Sequence, residues 1–322
     1  MREVPVQVKK VFIDGSAGTT GLRIGSRLEG RPDVSVSTLP ESLRKDPSAR
    51  RDALNSADVA ILCLPDDAAR EAVSMVSNPD VAIIDTSTAH RVADGWEYGF
   101  PELPGRRERI ARSRRIANPG CHASGFIALV EPLVKAGIVP AGAALSAFSL
   151  TGYSGGGKKM IADYGDALGG SDKGRLLEYS GGRVYSLSQS HKHLPEMVKT
   201  CGLEKPPFFS PAIVPHETGM ETLVALFADD LAGTPDDIRR VYAEIYAEGN
   251  GVVRYDPGMG SGGTISSAAF SGRDSMAVGV CGNPDRIALV ALFDNLGKGA
   301  SGAAIQNLNI VLGVEETLGL AL

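Results

Sequence analysis

The sequence predicts an α/β chain: a Rossmann-type dinucleotide-binding domain plus an α+β catalytic domain with a mixed sheet. Three observations predict it. A short apolar strand runs straight into a glycine-rich loop and a helix near the N-terminus. Unbroken apolar runs then alternate with helical patterns, as in a parallel sheet covered on both faces. Beyond residue 144, strands follow one another with few helices between them, which points to a mixed or antiparallel sheet. The chain has 322 residues, more than one hydrophobic core ordinarily organises, so two domains are expected.

Charge and composition exclude several classes. The net charge of -5 argues against a general nucleic-acid binder. Cys63, Cys121, Cys201 and Cys281 have no paired spacing, which fits a reducing compartment and speaks against a zinc site or disulfide framework. Residues Met1 to Pro5 lack the apolar core of a secretion signal, and no apolar run is long enough to span a bilayer. A soluble cytoplasmic protein without membrane or nucleic-acid partners is expected.

Val8–Asp14 reads as the first strand, and a helix is expected over Leu22–Leu28. Between them lies Gly15-Ser16-Ala17-Gly18-Thr19-Thr20-Gly21. Its glycines let backbone N–H groups approach a pyrophosphate resting on the helix N-terminus. Gly15, Gly18, Thr19, Thr20 and Gly21 are therefore candidate cofactor residues. The spacing G-x-x-G-x-x-G differs from the commoner fingerprint, and an ordinary glycine turn is the alternative.

Val34–Thr38 is the second strand. An acidic residue near the end of such a strand holds the ribose of NAD. Here Thr38-Leu39-Pro40 stands instead, followed by Arg44, Lys45, Arg50 and Arg51. Missing acid and nearby cations favour NADP, with Arg44 and Lys45 as the candidate contacts; a solvated basic helix face is the competing reading. Strands are expected at Val59–Leu64 and Val81–Ile84, with a helix over Asp67–Val76. The segment Thr86-Ser87-Thr88-Ala89-His90-Arg91 leaves the carboxyl end of a strand, where open α/β sheets bind ligands. His90 and Arg91 are candidate site residues, with a surface loop as the alternative; Ser87 is taken as a cofactor contact and Arg91 as a substrate contact.

Asn118-Pro119-Gly120-Cys121-His122-Ala123 carries the chemistry. Pro119 and Gly120 end any preceding helix, and Phe126, Leu129, Val130, Leu133 and Val134 repeat at helical spacing. Cys121 then stands at a helix N-terminus, where unpaired N–H groups and the macrodipole favour a thiolate nucleophile. Pro132 should kink or shorten that helix. A buried inert cysteine is the alternative.

Ala144–Leu150 reads as a strand that opens into Thr151-Gly152-Tyr153-Ser154-Gly155-Gly156-Gly157-Lys158-Lys159. Backbone N–H groups, a hydroxyl and two cations suit an anionic group, so Ser154, Gly155, Lys158 and Lys159 are candidate substrate contacts; a flexible surface linker is the alternative. Further strands are expected at Arg183–Ser188, Phe208–Val214, Thr222–Ala228, Ala277–Cys281 and Ile287–Phe293. Pro235–Glu248 reads as a helix with Thr234 as its N-cap.

His191-Lys192-His193-Leu194-Pro195-Glu196 reads as extended, so that its two histidines point to opposite faces. One would be the acid–base residue and the other structural or bound to substrate. His193 is chosen for the acid–base role because Leu194-Pro195 should hold it rigidly, with His191 as understudy. Glu196 and His216 are further substrate candidates. Asn295, which opens a small-residue stretch before a helix over 303–312, is a candidate cofactor contact.

Taken together, these motifs resemble the N-acetyl-gamma-glutamyl-phosphate reductase family of arginine biosynthesis, in its shorter, second-type branch. Asp85 to Arg91, Tyr98-Gly99-Phe100-Pro101-Glu102-Leu103 and the closing Gln306-Asn307-Leu308-Asn309 add to the likeness, which covers nearly the whole chain. The resemblance implies a cofactor domain over 1–117 completed by 298–322, with a catalytic domain over 118–297. It implies that NADPH serves reductive dephosphorylation of a small acyl phosphate, N-acetyl-gamma-glutamyl phosphate, to N-acetylglutamate 5-semialdehyde. Cys121 would expel phosphate and form a thioester, and the protein would be a homo-oligomer, dimer or tetramer. Reduction of a longer aminoadipyl-type acyl phosphate, thiol acyl transfer without hydride, and nucleotide sensing on the same fold are the rival readings.

Overall fold

The computed structural model describes residues 8–247 and 251–322. The N-terminal Met1–Pro5 reading and Glu248, the last residue expected in its helix, lie outside them. The chain folds into two compact units. The first runs to Pro101 and includes Gly105–Asn118 and Ala303–Leu320; the second holds Glu102–Pro104, Pro119–Gly302 and Ala321–Leu322.

The first unit is built on six parallel strands: β1 (Lys9–Asp14), β2 (Val34–Ser37), β3 (Val59–Leu62), β4 (Ala82–Asp85), β5 (Glu97–Tyr98) and β6 (Arg115–Ala117). They lie in the order β2-β1-β3-β4-β6-β5. Side chains alternate across the sheet, and each face is covered, which is why the strands read as unbroken apolar runs. On one face Val11, Ile13, Ile61 and Ile84 pack with Ile24 of α1 (Thr19–Leu28) and with Ala304, Ile305 and Leu308 of α10 (Gly302–Leu312). On the other, Phe12, Ala60 and Leu62 pack with Leu54 of α2 (Pro47–Ser56) and with Ala69 and Ala72 of α3 (Asp66–Ser74). A fourth helix, α4 (Arg106–Arg112), precedes β6.

The second unit holds a seven-stranded mixed sheet. Its strands are β7 (Ser146–Gly152), β8 (Arg183–Val184), β9 (Phe208–Val214), β10 (Met220–Phe227), β11 (Val253–Tyr255), β12 (Met276–Gly282) and β13 (Arg286–Phe293). The order is β11-β12-β13-β10-β7-β9-β8. The β7–β9 and β11–β12 pairs are parallel and the rest antiparallel. The strand expected over Arg183–Ser188 is cut to its first two residues. Ser186 and Gln189 take positive φ of 54° and 56°, which no strand accommodates. Three helices stand where none was expected: α6 (Gly157–Gly169), α7 (Lys173–Ser180) and α8 (Leu194–Cys201).

Helix α5 (Cys121–Lys135) is the buried axis of this unit, and it passes through Pro132 without ending. Proline lacks the N–H that the Ala128 carbonyl would otherwise accept from. That carbonyl instead accepts from the Tyr246 hydroxyl at 2.6 Å, and the Leu129 carbonyl accepts from Tyr242, also at 2.6 Å. Both tyrosines come from α9 (Pro235–Ala247). The neighbouring helix thus supplies what the proline removes, which is why the expected shortening does not occur.

Candidate active site

In the first unit the loop between β1 and α1 has the features a pyrophosphate requires. Gly15 holds φ at 84°, and a Cβ there would meet the Cys63 carbonyl oxygen at 2.3 Å; a Cβ on Gly21 would meet the Gly15 carbonyl oxygen at 2.6 Å. Only bare backbone fits. Helix α1 starts at Thr19, with Thr20 next, and its N-cap, Gly18, contributes no side-chain cap. Its first N–H groups and the positive end of its dipole are left to an anion. Arg44 and Lys45 are exposed beyond β2, as a 2′-phosphate contact requires. Arg50 is not available for that task. It is buried and donates to Asp14 at 3.0 and 3.1 Å and to Glu71 at 2.8 Å. Burial still dominates at Asp14 and raises its carboxyl pKa above the ordinary value despite the guanidinium. The donor set therefore fits NADP.

At the end of β4, Asp85 is fully buried and accepts from the Ser87 N–H and hydroxyl at 2.9 and 2.8 Å. Its other neighbour is His90 Nδ1 at 2.6 Å, whose ring stacks on Trp96 with centroids 4.1 Å apart. The Ser87 hydroxyl is thus turned to its own strand end. Arg91 donates to the carbonyls of Asn118 at 2.9 Å and Thr86 at 3.0 Å.

In the second unit Cys121 is the first residue of α5. The N-cap is Gly120, with no side-chain cap and no acidic residue in the first turn. Glu196, expected at the substrate, is buried and accepts from the Gly120 N–H at 3.1 Å, fixing the turn that delivers the thiol. A π-helical turn over Gly297–Ser301 packs against Cys121: a Cβ on Gly299 would lie 3.0 Å from the Cys121 Cβ. Two anchors fix that turn. Asp294 accepts from the N–H groups of Leu296, Gly297 and Gly272 at 2.7, 2.8 and 2.6 Å. Lys298, only 1% exposed, donates to both Glu102 carboxylate oxygens at 2.7 and 2.8 Å.

The histidine segment is a turn and not an extended strand. His193, with φ −88° and ψ −11°, is the N-cap of α8, and its N–H donates to His191 Nδ1 at 3.1 Å. The turn brings the two rings to the same side, 4.7 Å apart, so the expected separation onto opposite faces is wrong. His122 is in the same cluster, with centroids 5.5 Å from His191 and 5.8 Å from His193. It bonds Ser149 Oγ at 2.8 Å and Tyr185 Oη at 2.7 Å. Burial, and then the nearby charges of His191 and Lys192, hold its pKa well below the usual imidazole range.

The glycine-lysine loop is ordered rather than a linker. Tyr153–Gly156 forms a 3₁₀ turn that leads into α6. Ser154 is buried, while Gly155, Lys158 and Lys159 are exposed, the lysines in the first turn of α6. Asn295, expected at the cofactor, belongs to this unit. Its side chain donates to Ser154 Oγ at 3.0 Å and accepts from the Gly219 N–H at 3.0 Å. It ties the loop to the end of β10. His216 Nε2 lies 2.9 Å from Ser267 Oγ, and burial lowers its pKa.

Sequence reasoning missed Tyr185, Ser149, Glu102 and Lys298. Only Lys298 carried a signal, a lone cation among small residues. Among the described residues no group of three or more His, Cys, Asp or Glu side chains is placed to hold a metal, and no helix is long and apolar enough to cross a membrane. None of the four cysteines is in a disulfide.

Residues 10–113 match the semialdehyde dehydrogenase NAD-binding domain, and residues 121–295 match the semialdehyde dehydrogenase dimerisation domain. The chain is 47% identical over 321 residues to N-acetyl-gamma-glutamyl-phosphate reductase 2 of Nostoc sp., covering 97% of this chain and 99% of that one. It is 43% identical over 315 residues to the protein of the same name from Pseudomonas putida, covering 96% and 98%. Among solved structures, aspartate semialdehyde dehydrogenase II of Vibrio cholerae, complexed with ASA, superposes with a TM-score of 0.71 at 16% identity, covering 95% of this chain and 99% of that one. Aspartate semialdehyde dehydrogenase of Candida albicans, solved with NADP, gives 0.66 at 16% identity over the same shares. These structural likenesses show the fold; the full-length sequence identity goes further, and the chain belongs to the semialdehyde dehydrogenase family, within its N-acetyl-gamma-glutamyl-phosphate reductase branch.

Proposed function

We propose that this chain catalyses the NADPH-dependent reductive dephosphorylation of N-acetyl-gamma-glutamyl phosphate to N-acetylglutamate 5-semialdehyde in arginine biosynthesis. The observation that carries the mechanism is a thiol on the first residue of a buried helix, with two histidines turned into one cluster around the residue that follows it. Cys121 attacks the acyl carbon as thiolate, phosphate leaves, and a thioester to Cys121 remains. The N–H groups of the first turn of α5 are the donors available to the developing oxyanion. His193 takes the thiol proton, gives it to the thiohemiacetal oxygen as hydride adds, and takes it back as the C–S bond breaks to free the aldehyde and the Cys121 thiolate, with His191 as the second candidate. Bound NADPH supplies the hydride that brings the thioester to the aldehyde level. Gly15, Gly18, Thr19, Thr20 and Gly21 would hold its pyrophosphate, and Arg44 and Lys45 its 2′-phosphate. Lys158 and Lys159 are assigned to the substrate's anionic groups, Ser154 and Gly155 to the loop beside them, and Arg91, Glu196 and His216 to orienting roles.

The protein is further read as a cytoplasmic homo-oligomer, dimer or tetramer. The matched dimerisation segment contains the seven-stranded sheet, one face of which exposes Phe148, Phe208 and Phe227. The deciding assay runs the reaction backwards: reduction of NADP by the semialdehyde, measured with and without inorganic phosphate. Strict dependence on phosphate is expected. Thiol acyl transfer or hydrolysis without hydride would give no NADPH at all. Replacing His193 and His191 separately by Asn should cost the true acid–base residue about 10²–10⁴-fold in kcat/KM.

A further inference from the structure

Arg50 is the cation between β2 and α3 that lies too deep to touch a cofactor. Residues 38–49 are all exposed or half-buried, and Arg50 is the first buried residue after them. Its side chain reaches two other elements. Nε and Nη2 donate to one oxygen of Asp14, the last residue of β1, at 3.1 and 3.0 Å. Nη1 donates to Glu71 of α3 at 2.8 Å, and Nη2 lies 3.5 Å from the Ala68 carbonyl oxygen of the same helix. The backbone carries this anchorage back toward β2 in a continuous series of hydrogen bonds. The Arg50 N–H donates to the Asp46 carbonyl at 3.0 Å, the Asp46 N–H to the Leu43 carbonyl at 3.0 Å, and the Leu43 N–H to the Pro40 carbonyl at 2.9 Å. Asp46, the N-cap of α2, also accepts from the Ala49 N–H at 2.7 Å. Arg44 and Lys45 are the two residues between Leu43 and Asp46, inside this series.

We propose that Arg50 is a positioning residue for cofactor choice: it pins the exposed turn that carries Arg44 and Lys45 to the end of β1, so that both cations are in place before a 2′-phosphate arrives. This rests on the reading of Arg44 and Lys45 as the 2′-phosphate contacts. A turn of exposed side chains has little apolar burial to hold it, and ordering it only on binding would be subtracted from the affinity. A planar guanidinium serves two carboxylates and a carbonyl at fixed angles, which neither a lysine nor an apolar side chain can do. Buried ion pairs add little net stability, because desolvation offsets attraction; what this one adds is direction. Asp14 immediately precedes the glycine loop, so loosening Arg50 weakens NADPH and NADH alike through the pyrophosphate. The ratio of the two affinities isolates the turn.

The experiment measures binding by the full chain and needs no turnover. Dissociation constants for NADPH and NADH come from titration of cofactor fluorescence, with the thermal midpoint of each variant beside them. The double variant Arg44→Ala, Lys45→Ala should lower NADPH affinity relative to NADH by about ten-fold or more, since hydrogen bonds to a charged phosphate are the strong ones. An unchanged ratio there would remove the 2′-phosphate reading, and the proposal with it. Arg50→Lys keeps a buried cation beside Asp14 but lacks the fork, and should lower the ratio by about three- to ten-fold although both contact cations remain. Glu71→Ala removes the outer anchor at an exposed position and should move the ratio the same way. In the Arg44→Ala, Lys45→Ala background, Arg50→Lys should change it no further. Asn55→Ala is the structural control. Asn55 ties the far end of α2 to the residues after α3, accepting from the N–H groups of Ser77 and Asn78 at 2.7 and 2.8 Å and donating to the Met75 carbonyl at 2.9 Å. Its loss should lower the thermal midpoint and leave the ratio at the wild-type value. Wild-type ratios in folded Arg50→Lys and Glu71→Ala would refute the positioning role. So would an equal fall in Asn55→Ala, or an undiminished effect of Arg50→Lys once both contact cations are gone.

Discussion

Gly299→Ala isolates the seat of the nucleophile. The added Cβ would lie 3.0 Å from the Cys121 Cβ, 3.1 Å from the Asp294 carbonyl oxygen and 3.4 Å from the Cys121 Cα. Ordinary contact begins at 3.4 Å, so one side must yield by about 0.4 Å. The π-helical turn cannot move freely, because Asp294 and the buried Lys298–Glu102 pair hold it. The start of α5 must therefore take up part of the shift. Overpacking of this kind costs about 1–3 kcal/mol of stability. A displacement of about 1 Å at reacting atoms costs about 10²-fold, so 0.4 Å predicts roughly a five- to ten-fold loss in kcat. The assay is kcat with saturating NADPH and acyl phosphate, alongside the Cys121 alkylation rate and the thermal midpoint. Gly297→Ala is the contrast: its Cβ would meet the Arg273 carbonyl oxygen at 2.0 Å, a backbone clash, so it should lower the thermal midpoint far more. Wild-type kcat and alkylation in folded Gly299→Ala would show that the π-helical turn yields instead, and that it does not position the thiol.

Cys121→Ser should keep the fold and NADPH binding, measured by titration, but lose turnover, because a serine alkoxide is far less accessible than a thiolate near neutrality; near-normal activity would end the thioester mechanism. Replacing Arg44 and Lys45 with Ala should lower kcat/KM for NADPH more than for NADH, and an unchanged ratio would return both residues to a solvated surface. The buried His122 makes stability depend on pH with a definite sign. Its folded pKa lies below its unfolded value of about 6.5, so the stabilisation is complete above that value and is lost as pH falls below it, at up to about 1.4 kcal/mol per pH unit. His216 is shifted the same way and should add to the slope. Urea midpoints between pH 8 and pH 5.5 should fall with pH in wild type and fall less steeply in His122→Phe; equal slopes would mean that His122 is not the group responsible.

Legibility in the sequence followed local determination. Strand β9 was read residue for residue, because Phe208–Val214 is a β-prone run bounded by prolines and a turn. Helix α1 starts three residues earlier than expected; Thr19, Thr20 and Gly21 have weak helix propensity and gave no local sign of it. Helices α6 and α7 were hidden by the glycines that open the first of them. Cys121 was legible because Pro119 and Gly120 force the break before it. The histidine pair was not: alternation assumes an extended backbone, and the hydrogen bond from the His193 N–H to the His191 ring makes a turn instead. Partners such as Tyr185 and Ser149 lie 63 and 27 residues from His122, and no periodicity connects such distances.

Pro132 has a consequence for the order in which the molecule comes into being. The carbonyl it strands in α5, that of Ala128, finds its donor 118 residues further along the chain. At roughly 5–20 residues per second of synthesis, α5 leaves the ribosome on the order of ten seconds before Tyr246 does. Through that interval the helix carrying the nucleophile lacks a hydrogen bond that only α9 supplies. Chains stalled before residue 235 should exchange the backbone amides of α5 quickly, and chains released at full length should protect them. The residue that breaks the helix locally thus postpones its completion until most of the unit that surrounds the thiol has been made.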